Sequence, residues 1–448
     1  MQGSDAVIHA LEKEGISYIS GFSGGGLAPL WRPIRESSTI TAFATRHERL
    51  GVEIADGYSR ATGKVGVAMT GTGPGATNTL TGIASCFADN VPVLLLMGQH
   101  PLRNLGKEYQ QEVSSSIFDT LVKWKGTFTR IDEIPNVMRR AFTALKSTSP
   151  GPVVLEMPQD VLTAEADEHL LHYNPVGASP KSSPDRQDVE KAADLLANAK
   201  YPILNVGGGA ISAEAWDEVK ELAEMLSMPV ATTLLGKSVF PEDHPLSLGL
   251  GVFPRSRYAT GPALQINRKA DVVLAVGNSY KLPNGTDGRP IPEGVKLIHV
   301  NSDPADLNKT YQADLAILAD AKLALRDIIE AVKDRVSVAE MGVKDGVTQE
   351  ISQSREKWLN EWMPIFTDPS SPTNGYRVVY DLMQVTDRNN TIAIHDAGGS
   401  RGYMTQFWVS TKPRNFVAMG GMAPMGWSMG AAIGAKLGRP DHLVVHLL

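Results

Sequence analysis

The sequence predicts an α/β protein made of three doubly wound parallel-sheet domains, the third only partly present. Three observations carry that prediction. Short, wholly apolar runs alternate with amphipathic helical patterns, which is how strands buried on both faces of a parallel sheet read. Proline-rich polar stretches divide the alternation into blocks of about 150 residues, an ordinary domain size. The last block reaches only its second core strand, HLVVHLL, before Leu448.

The chain opens with SDAVIHALEKEG, an amphipathic helix pattern with Ser4 as its expected cap and none of the basic start or apolar core of a signal peptide. Strands follow at YISG (18–21), VGVAMT (65–70), VPVLLLMG (91–98) and VVLEMP (153–158), giving a first domain over 1–165. VPVLLLMG is the longest apolar stretch and is far below the roughly 20 residues that span a bilayer. The segment HYNPVGASPKSSPDRQD, with three prolines, reads as a linker. A central domain over 186–340 is expected next, with strands at YPILNVGGG, VATT, DVVLAVGN and KLIHVNSD. A polar, helix-prone segment then leads through TDPSSPTNG to a third domain over 375–448, whose first strand is TIAIHDAGG.

Composition excludes several classes. The 448 residues carry a formal charge of -6, with 42% hydrophobic and 21% charged residues and no basic cluster of the kind that binds nucleic acid. No membrane partner is expected. The single cysteine, Cys86, cannot form an internal disulfide and has no metal-ligand pattern around it, which fits a reducing cytoplasm.

Three elements carry chemistry. RHERLGVEIADGYSRATG places Glu48 at the mouth of a helix after the short strand TAFA. A carboxylate there is equally read as a helix-start acid favoured by the helix dipole. In TGTGPGATN, glycines 71, 73 and 75 let a ligand approach the backbone ahead of a helix, although close strand-to-helix packing explains such turns as well. The run GGMAPMGWSMGAAIGAKLG from Gly420 makes a small-residue helix able to pack near a ligand or another helix, and it is preceded by HDAGGS at 395–400.

Taken in order, RHE with GYSRATG, GPGATN, FADNVPVLLLMGQ, HPLSLG, NSDPAD and GGMAPMGWSMGAAIGAKLG resemble the acetolactate synthase (large subunit) and pyruvate oxidase group of thiamine-diphosphate enzymes, over nearly the whole chain. The resemblance implies a C–C bond-forming transferase or lyase acting on a 2-oxo acid, joining pyruvate into 2-acetolactate for branched-chain amino acid biosynthesis. It implies that Glu48 hydrogen-bonds the cofactor's aminopyrimidine ring and promotes the proton transfer that activates it. Gln110, in EYQQEV, matches a glutamine that faces substrate, so Glu48 and Gln110 are the candidate catalytic residues; an exposed polar loop is the alternative for Gln110. Candidate cofactor contacts are Gly24, Gly25, Glu48, Asn78, Gly398, Gly399, Ser400, Ala423 and Met425, with Met425 propping the bent cofactor and Gly398 to Ser400 beside the diphosphate. Since Glu48 and Met425 fall on different expected domains, the resemblance implies a homodimer or homotetramer with sites across the interface.

Two departures qualify the resemblance. The family holds Mg2+ through a Gly-Asp-Gly run directly after the strand represented here by LVVHLL, so the Mg2+ ligands are expected beyond Leu448 and none is assigned within the chain. A longer natural chain, a split enzyme and a non-catalytic remnant all fit that ending. The GGG at 207–209 and HPLSLG resemble the flavin-binding central domain, but NSYKLPNGTDGR from Asn278 replaces the usual Arg-x-Asp-Asp run, which counts against FAD. Arg255, Arg257 and Arg268 read as a nucleotide or anion site or as solvated surface charge. A 2-oxo-acid decarboxylase, a 2-hydroxyacyl thioester lyase or a sulfoacetaldehyde acetyltransferase would use the same Glu48. A dinucleotide oxidoreductase is disfavoured, because Gly207 opens no glycine fingerprint with an acid about 20 positions on.

Overall fold

The computed structural model describes residues 1–22, 24–177, 180–252, 258–281 and 291–448, so Arg255, Arg257 and most of NSYKLPNGTDGR lie outside the described residues. Backbone contacts divide the chain into two compact units. One comprises Met1–Pro180 with Met419–His446 and Leu448, the other Lys181–Ala418 with Leu447.

In the first unit, strands β1 (Tyr18–Gly21), β2 (Thr41–Ala44), β3 (Gly66–Thr70), β4 (Val93–Gln99), β5 (Trp124–Thr127) and β6 (Val153–Pro158) form a parallel sheet of order β2-β1-β3-β4-β6-β5. Strands β3, β4 and β6 are buried at every residue, as continuous apolar runs must be when helices cover both faces. The chain passes from β1 to β2 on one side and returns to β3 on the other. A crevice therefore opens outside the carboxyl ends of β1 and β3. The first helix runs Gly3–Lys13, and here the expected cap is corrected: Ser4 lies buried inside the first turn, while Gln2 precedes the helix and donates its backbone N–H to the Asp5 carboxylate at 3.1 Å. An acid three residues on satisfies that amide, so Ser4 has no capping role.

Between β2 and β3 lies the helix Glu48–Thr62, called the site helix below. His47 precedes it in extended conformation and its ring accepts the Arg49 N–H at 3.2 Å; Gly63, at φ 75°, ends it. Val52 and Ala55 pack with Ile83, Val93 and Leu95 under the sheet. The opposite face meets the helix Trp427–Gly438, the glycine helix. Glycines 430, 434 and 438 recur every four residues, so they line one face. A Cβ at Gly434 would fall 1.9 Å from the Ile54 carbonyl oxygen, and one at Gly57 would fall 2.2 Å from that of Ala431. Larger residues would push the helices apart.

In the second unit, β7 (Pro202–Val206), β8 (Val230–Thr232), β9 (Ser247–Leu250), β10 (Val272–Val276), β11 (Lys296–Asn301) and β12 (Leu315–Leu318) form a second parallel sheet of order β12-β11-β10-β7-β8-β9. Helices Arg186–Ala197, Trp216–Leu226 and Ala321–Lys333 contribute to one large apolar core with it. After the long helix Asp345–Phe366 come the helix Gly375–Val385, β13 (Thr391–His395), the helix Gly399–Phe407 and β14 (Phe416–Val417), with β13 and β14 paired in parallel. Lys237 and Glu242 form a buried ion pair at 2.6 Å, and Glu242 also accepts the Ser410 N–H at 2.7 Å. Burial pulls the Lys237 ammonium below its usual range, and Glu242 opposes that shift. The segment HLVVHLL forms β15 (Leu443–Leu447).

Candidate functional site

At the crevice of the first unit, the turn after β1 carries Gly24 and Gly25 and the turn after β3 carries Gly71 and Gly73. The two turns touch: a Cβ at Gly24 would stand 3.0 Å from the Gly71 Cα, whereas a Cβ at Gly25 would meet nothing within 4 Å. Glycine therefore keeps this floor low and leaves open space above it. Gly73, at φ 61°, leads directly into the helix Pro74–Ala88.

Glu48 begins the site helix at the edge of this crevice and is partly buried. Asn78, from the helix Pro74–Ala88, donates its side-chain amide to Glu48 Oε2 at 2.9 Å. That bond orients the carboxylate. Glu48 Oε1 has no hydrogen-bond partner among the described residues, and a Cβ at Gly75 would approach it to 3.7 Å, so the glycine preserves its clearance. The structure thus brings together Glu48, Asn78 and the glycine turns.

The segment before the glycine helix belongs to the same unit. Ala423 has φ 49°, a left-handed conformation uncommon for a residue with a Cβ, and Gly426 has φ 83°. Met425 is 80% exposed. The Met425 carbonyl accepts Arg49 Nη2 at 2.6 Å, fastening this segment beside the first turn of the site helix, so that Glu48 and Met425, expected on different domains, stand in one compact unit of a single chain.

A buried charged cluster fixes the ends of that segment. Asp89 accepts the backbone N–H groups of Gly420 and Gly421 at 2.7 and 2.8 Å and also accepts Arg60 Nη2 at 3.0 Å. Asp56 accepts Arg60 Nε and the Trp427 ring N–H, both at 2.6 Å. Burial raises the Asp56 carboxyl above its usual range, with Arg60 and Trp427 opposing the shift. Burial would lower the Arg60 guanidinium, but Asp56 and Asp89 outweigh it and hold the group protonated. Arg60 and Asp89 stand in the quoted motifs GYSRATG and FADNVPVLLLMGQ, yet the sequence reading gave them no role. The usable signal was charge inside otherwise apolar, helix-packing motifs.

Gln110 is exposed, in the loop between β4 and β5. A Cβ at Gly73 would lie 3.5 Å from its Nε2 and 2.7 Å from the Gln111 carbonyl oxygen, so this loop rests on the Gly73 turn. In the second unit, Gly398, at φ 77°, precedes the helix Gly399–Phe407, and a Cβ there would meet nothing within 4 Å. Ser400 is buried and donates its hydroxyl to the Ala397 carbonyl at 3.1 Å. Arg268 is exposed.

Among the described residues, no group of three or more His, Cys, Asp or Glu side chains is placed to hold a metal ion. No described helix is long and apolar enough to cross a membrane.

Three family models match the chain, described as the N-terminal TPP binding domain, the central domain and the C-terminal TPP binding domain of thiamine pyrophosphate enzymes, over residues 1–118, 189–328 and 396–448. A "Probable acetolactate synthase large subunit" of Methanocaldococcus jannaschii is 35% identical over 100% of this chain and 75% of its own length. An acetolactate synthase of Arthrospira platensis is 33% identical over 99% of this chain and 76% of its own. The X-ray structure of a candidate thiamin diphosphate-dependent enzyme from Mycobacterium smegmatis superposes with a TM-score of 0.82 at 23% identity, covering 100% of this chain and 82% of that one.

Proposed function

The chain belongs to the thiamine pyrophosphate enzymes, and from that premise we propose that it is an acetolactate-synthase-type enzyme, which decarboxylates one 2-oxo acid and joins the remaining fragment, which keeps the electron pair of the broken C–C bond, to a second carbonyl. The observation that carries this reading is the Glu48 carboxylate, oriented by Asn78 through one oxygen and open at the other, beside glycine turns and the segment with left-handed Ala423 and exposed Met425. These residues fit a flat heteroaromatic ring with polar edges: a carboxylate for a ring nitrogen, backbone groups for the remaining edge and an apolar side chain for support.

Thiamine diphosphate, when bound, supplies the carbon nucleophile and the electron sink that decarboxylation of a 2-oxo acid requires. The protein's own work is positional. Glu48 would hold and exchange a proton at the ring nitrogen through its open Oε1, while the Asn78 amide keeps Oε2 occupied and the carboxylate in one orientation. Met425 would support the bent cofactor, with the backbone of Ala423 and Met425 meeting the pyrimidine. Gly24 and Gly25 would leave room for the ring. Gln110 would face the substrate. Gly398, Gly399 and Ser400 are read as the diphosphate contacts, with Mg2+ as its counter-ion. A homodimer or homotetramer acting in the cytoplasm in branched-chain amino acid biosynthesis completes the proposal. The exposed Met429 and Ile433 on the glycine helix support self-association. FAD has no support from the described residues of the second unit.

The test is product analysis with pyruvate, thiamine diphosphate and Mg2+, beside a Glu48→Gln variant. Acetolactate and carbon dioxide are expected, with kcat falling at least about a hundredfold in the variant. Acetaldehyde as the sole product, or equal rates for the two proteins, would overturn the reading.

A further inference from the structure

Glu156, on β6, is buried at 6% exposure, and among the described residues its side chain meets only neutral donors. Its Oε1 accepts the Gln99 amide at 2.8 Å; its Oε2 accepts the Ser115 N–H at 3.1 Å and the Thr127 hydroxyl at 3.3 Å. A buried carboxylate without a cation is costly, and an apolar or amide side chain would fill the same space more cheaply if packing were the whole requirement. The partners show what the charge does. Because a carboxylate only accepts, Gln99 must turn its NH2 toward Glu156 and its carbonyl the other way. That carbonyl then accepts the Thr72 hydroxyl and the His100 N–H, both at 2.9 Å, and the same NH2 reaches the Val113 carbonyl at 3.2 Å.

The loop that begins at His100 and ends at Ser115 is therefore pinned at both ends by one buried carboxylate and one amide. Thr72, held by Gln99, stands immediately before Gly73, on which Gln110 and Gln111 rest. We propose that Glu156 is a positioning residue, which through Gln99 fixes the 100–115 loop over the Gly73 turn and so places Gln110 for substrate. This rests on the reading of Gln110 as the substrate-facing glutamine, while the pinning itself stands on the hydrogen bonds.

The experiment compares the whole cofactor-loaded chain as wild type, Glu156→Gln, and the exchanged pair Gln99→Glu with Glu156→Gln. In the single variant two amides face each other and a backbone N–H, so one donor must lose its acceptor; the exchanged pair restores a carboxylate opposite an amide. Glu156→Gln is expected to raise KM for pyruvate about tenfold with kcat within about threefold, and to speed amide hydrogen exchange across 100–115 about tenfold, as loss of one buried hydrogen bond allows. The exchanged pair is expected to recover part of both, because a carboxylate at position 99 still accepts the Thr72 hydroxyl and the His100 N–H and again faces an amide, but no longer donates to the Val113 carbonyl. Thr72→Val, which removes the hydroxyl that Gln99 accepts, provides a second route should the first variant fail to fold, with the same direction expected. Unchanged exchange in 100–115, or an exchanged pair no better than the single variant, would overturn the proposal, as would equal weakening of thiamine diphosphate and pyruvate. If wild type turns over no 2-oxo acid, the functional reading falls and hydrogen exchange alone decides the role of Glu156.

Discussion

The two units place a glycine-rich pair of turns at the same topological position and use it in opposite ways. Each sheet has a point where the strand order reverses and a crevice can open, between β1 and β3 in the first unit and between β7 and β10 in the second. In the first, the Gly24 and Gly71 turns touch edge to edge and a Cβ at Gly25 would meet open space. In the second, the Gly207–Gly209 turn is closed on the Gly277 turn. Gly209 N donates to the Gly277 carbonyl at 3.0 Å, and a Cβ at Gly207 would fall 2.2 Å from that same oxygen. Glycine leaves open space in one case and seals backbone against backbone in the other. The sequence GGG is shared by both; what lies opposite it is not.

Substitutions separate the two uses, and the largest effect belongs to sealed positions. Gly434→Ala, whose Cβ would sit 1.9 Å from a backbone oxygen in the first unit, is expected to lower unfolding free energy by about 3 kcal/mol; Gly209→Ala, 2.7 Å from the Gly277 Cα, should cost about 2 kcal/mol. Gly25→Ala should change stability by no more than about 0.5 kcal/mol while weakening thiamine diphosphate binding. Melting and titration of the three variants check this. A Gly25→Ala protein as unstable as Gly209→Ala would break the comparison.

The next effect tests the buried charges. Asp89→Asn keeps the shape but replaces one acceptor with a donor facing Gly420 N–H, Gly421 N–H or Arg60. A loss of about 2 kcal/mol is expected, together with weaker thiamine diphosphate binding, because the Ala423–Met425 segment loses its anchor. Glu242→Gln in the second unit should lower stability comparably and leave cofactor affinity unchanged, since Glu242 holds Lys237 and Ser410. A fall in cofactor affinity with Glu242→Gln would remove the contrast.

The sheets were legible in the sequence because buried parallel strands announce themselves as apolar runs: YISG, VPVLLLMG, VVLEMP and TIAIH all became strands. Glu48 was legible as a helix-start acid, and the catalytic role proposed for it rests on the order of dispersed motifs. Asn78 was named from GPGATN without a reason; its bond to Glu48 supplies one. Arg60 pairs locally with Asp56 four residues away, but the bonds that tie Arg60 to Asp89, Asp89 to Gly420, and Gln99 to Thr72 and Glu156 span 27 to 331 residues, and no local periodicity reports a pairing of that separation. Ser4 misled for the converse reason: a local cap signal yielded to Gln2 and Asp5 one turn away.

The smallest effect concerns His299 on β11. It is 1% exposed, its Nε2 lies 2.7 Å from the Asn278 carbonyl, and its ring packs edge-on against Tyr280 at 5.4 Å. Burial lowers its folded pKa below 6.5, and the Asn278 carbonyl opposes the shift. Below pH 6.5 the unfolded chain takes up a proton that the folded chain refuses, so stability rises with pH through that window and falls on acidification. Between pH 7 and pH 5.5 the loss is expected to be at most about 1.4 kcal/mol, one pH unit of differential proton binding. His299→Asn should flatten that slope in thermal melts of the second unit while leaving the acid limb of the first unit unchanged. An undiminished slope would mean that His299 is protonated in the fold, with its ring N–H donated to Asn278 as a charged group, and that the β10–β11 edge tolerates charge where the Gly207–Gly277 seal would otherwise argue for a dry interior.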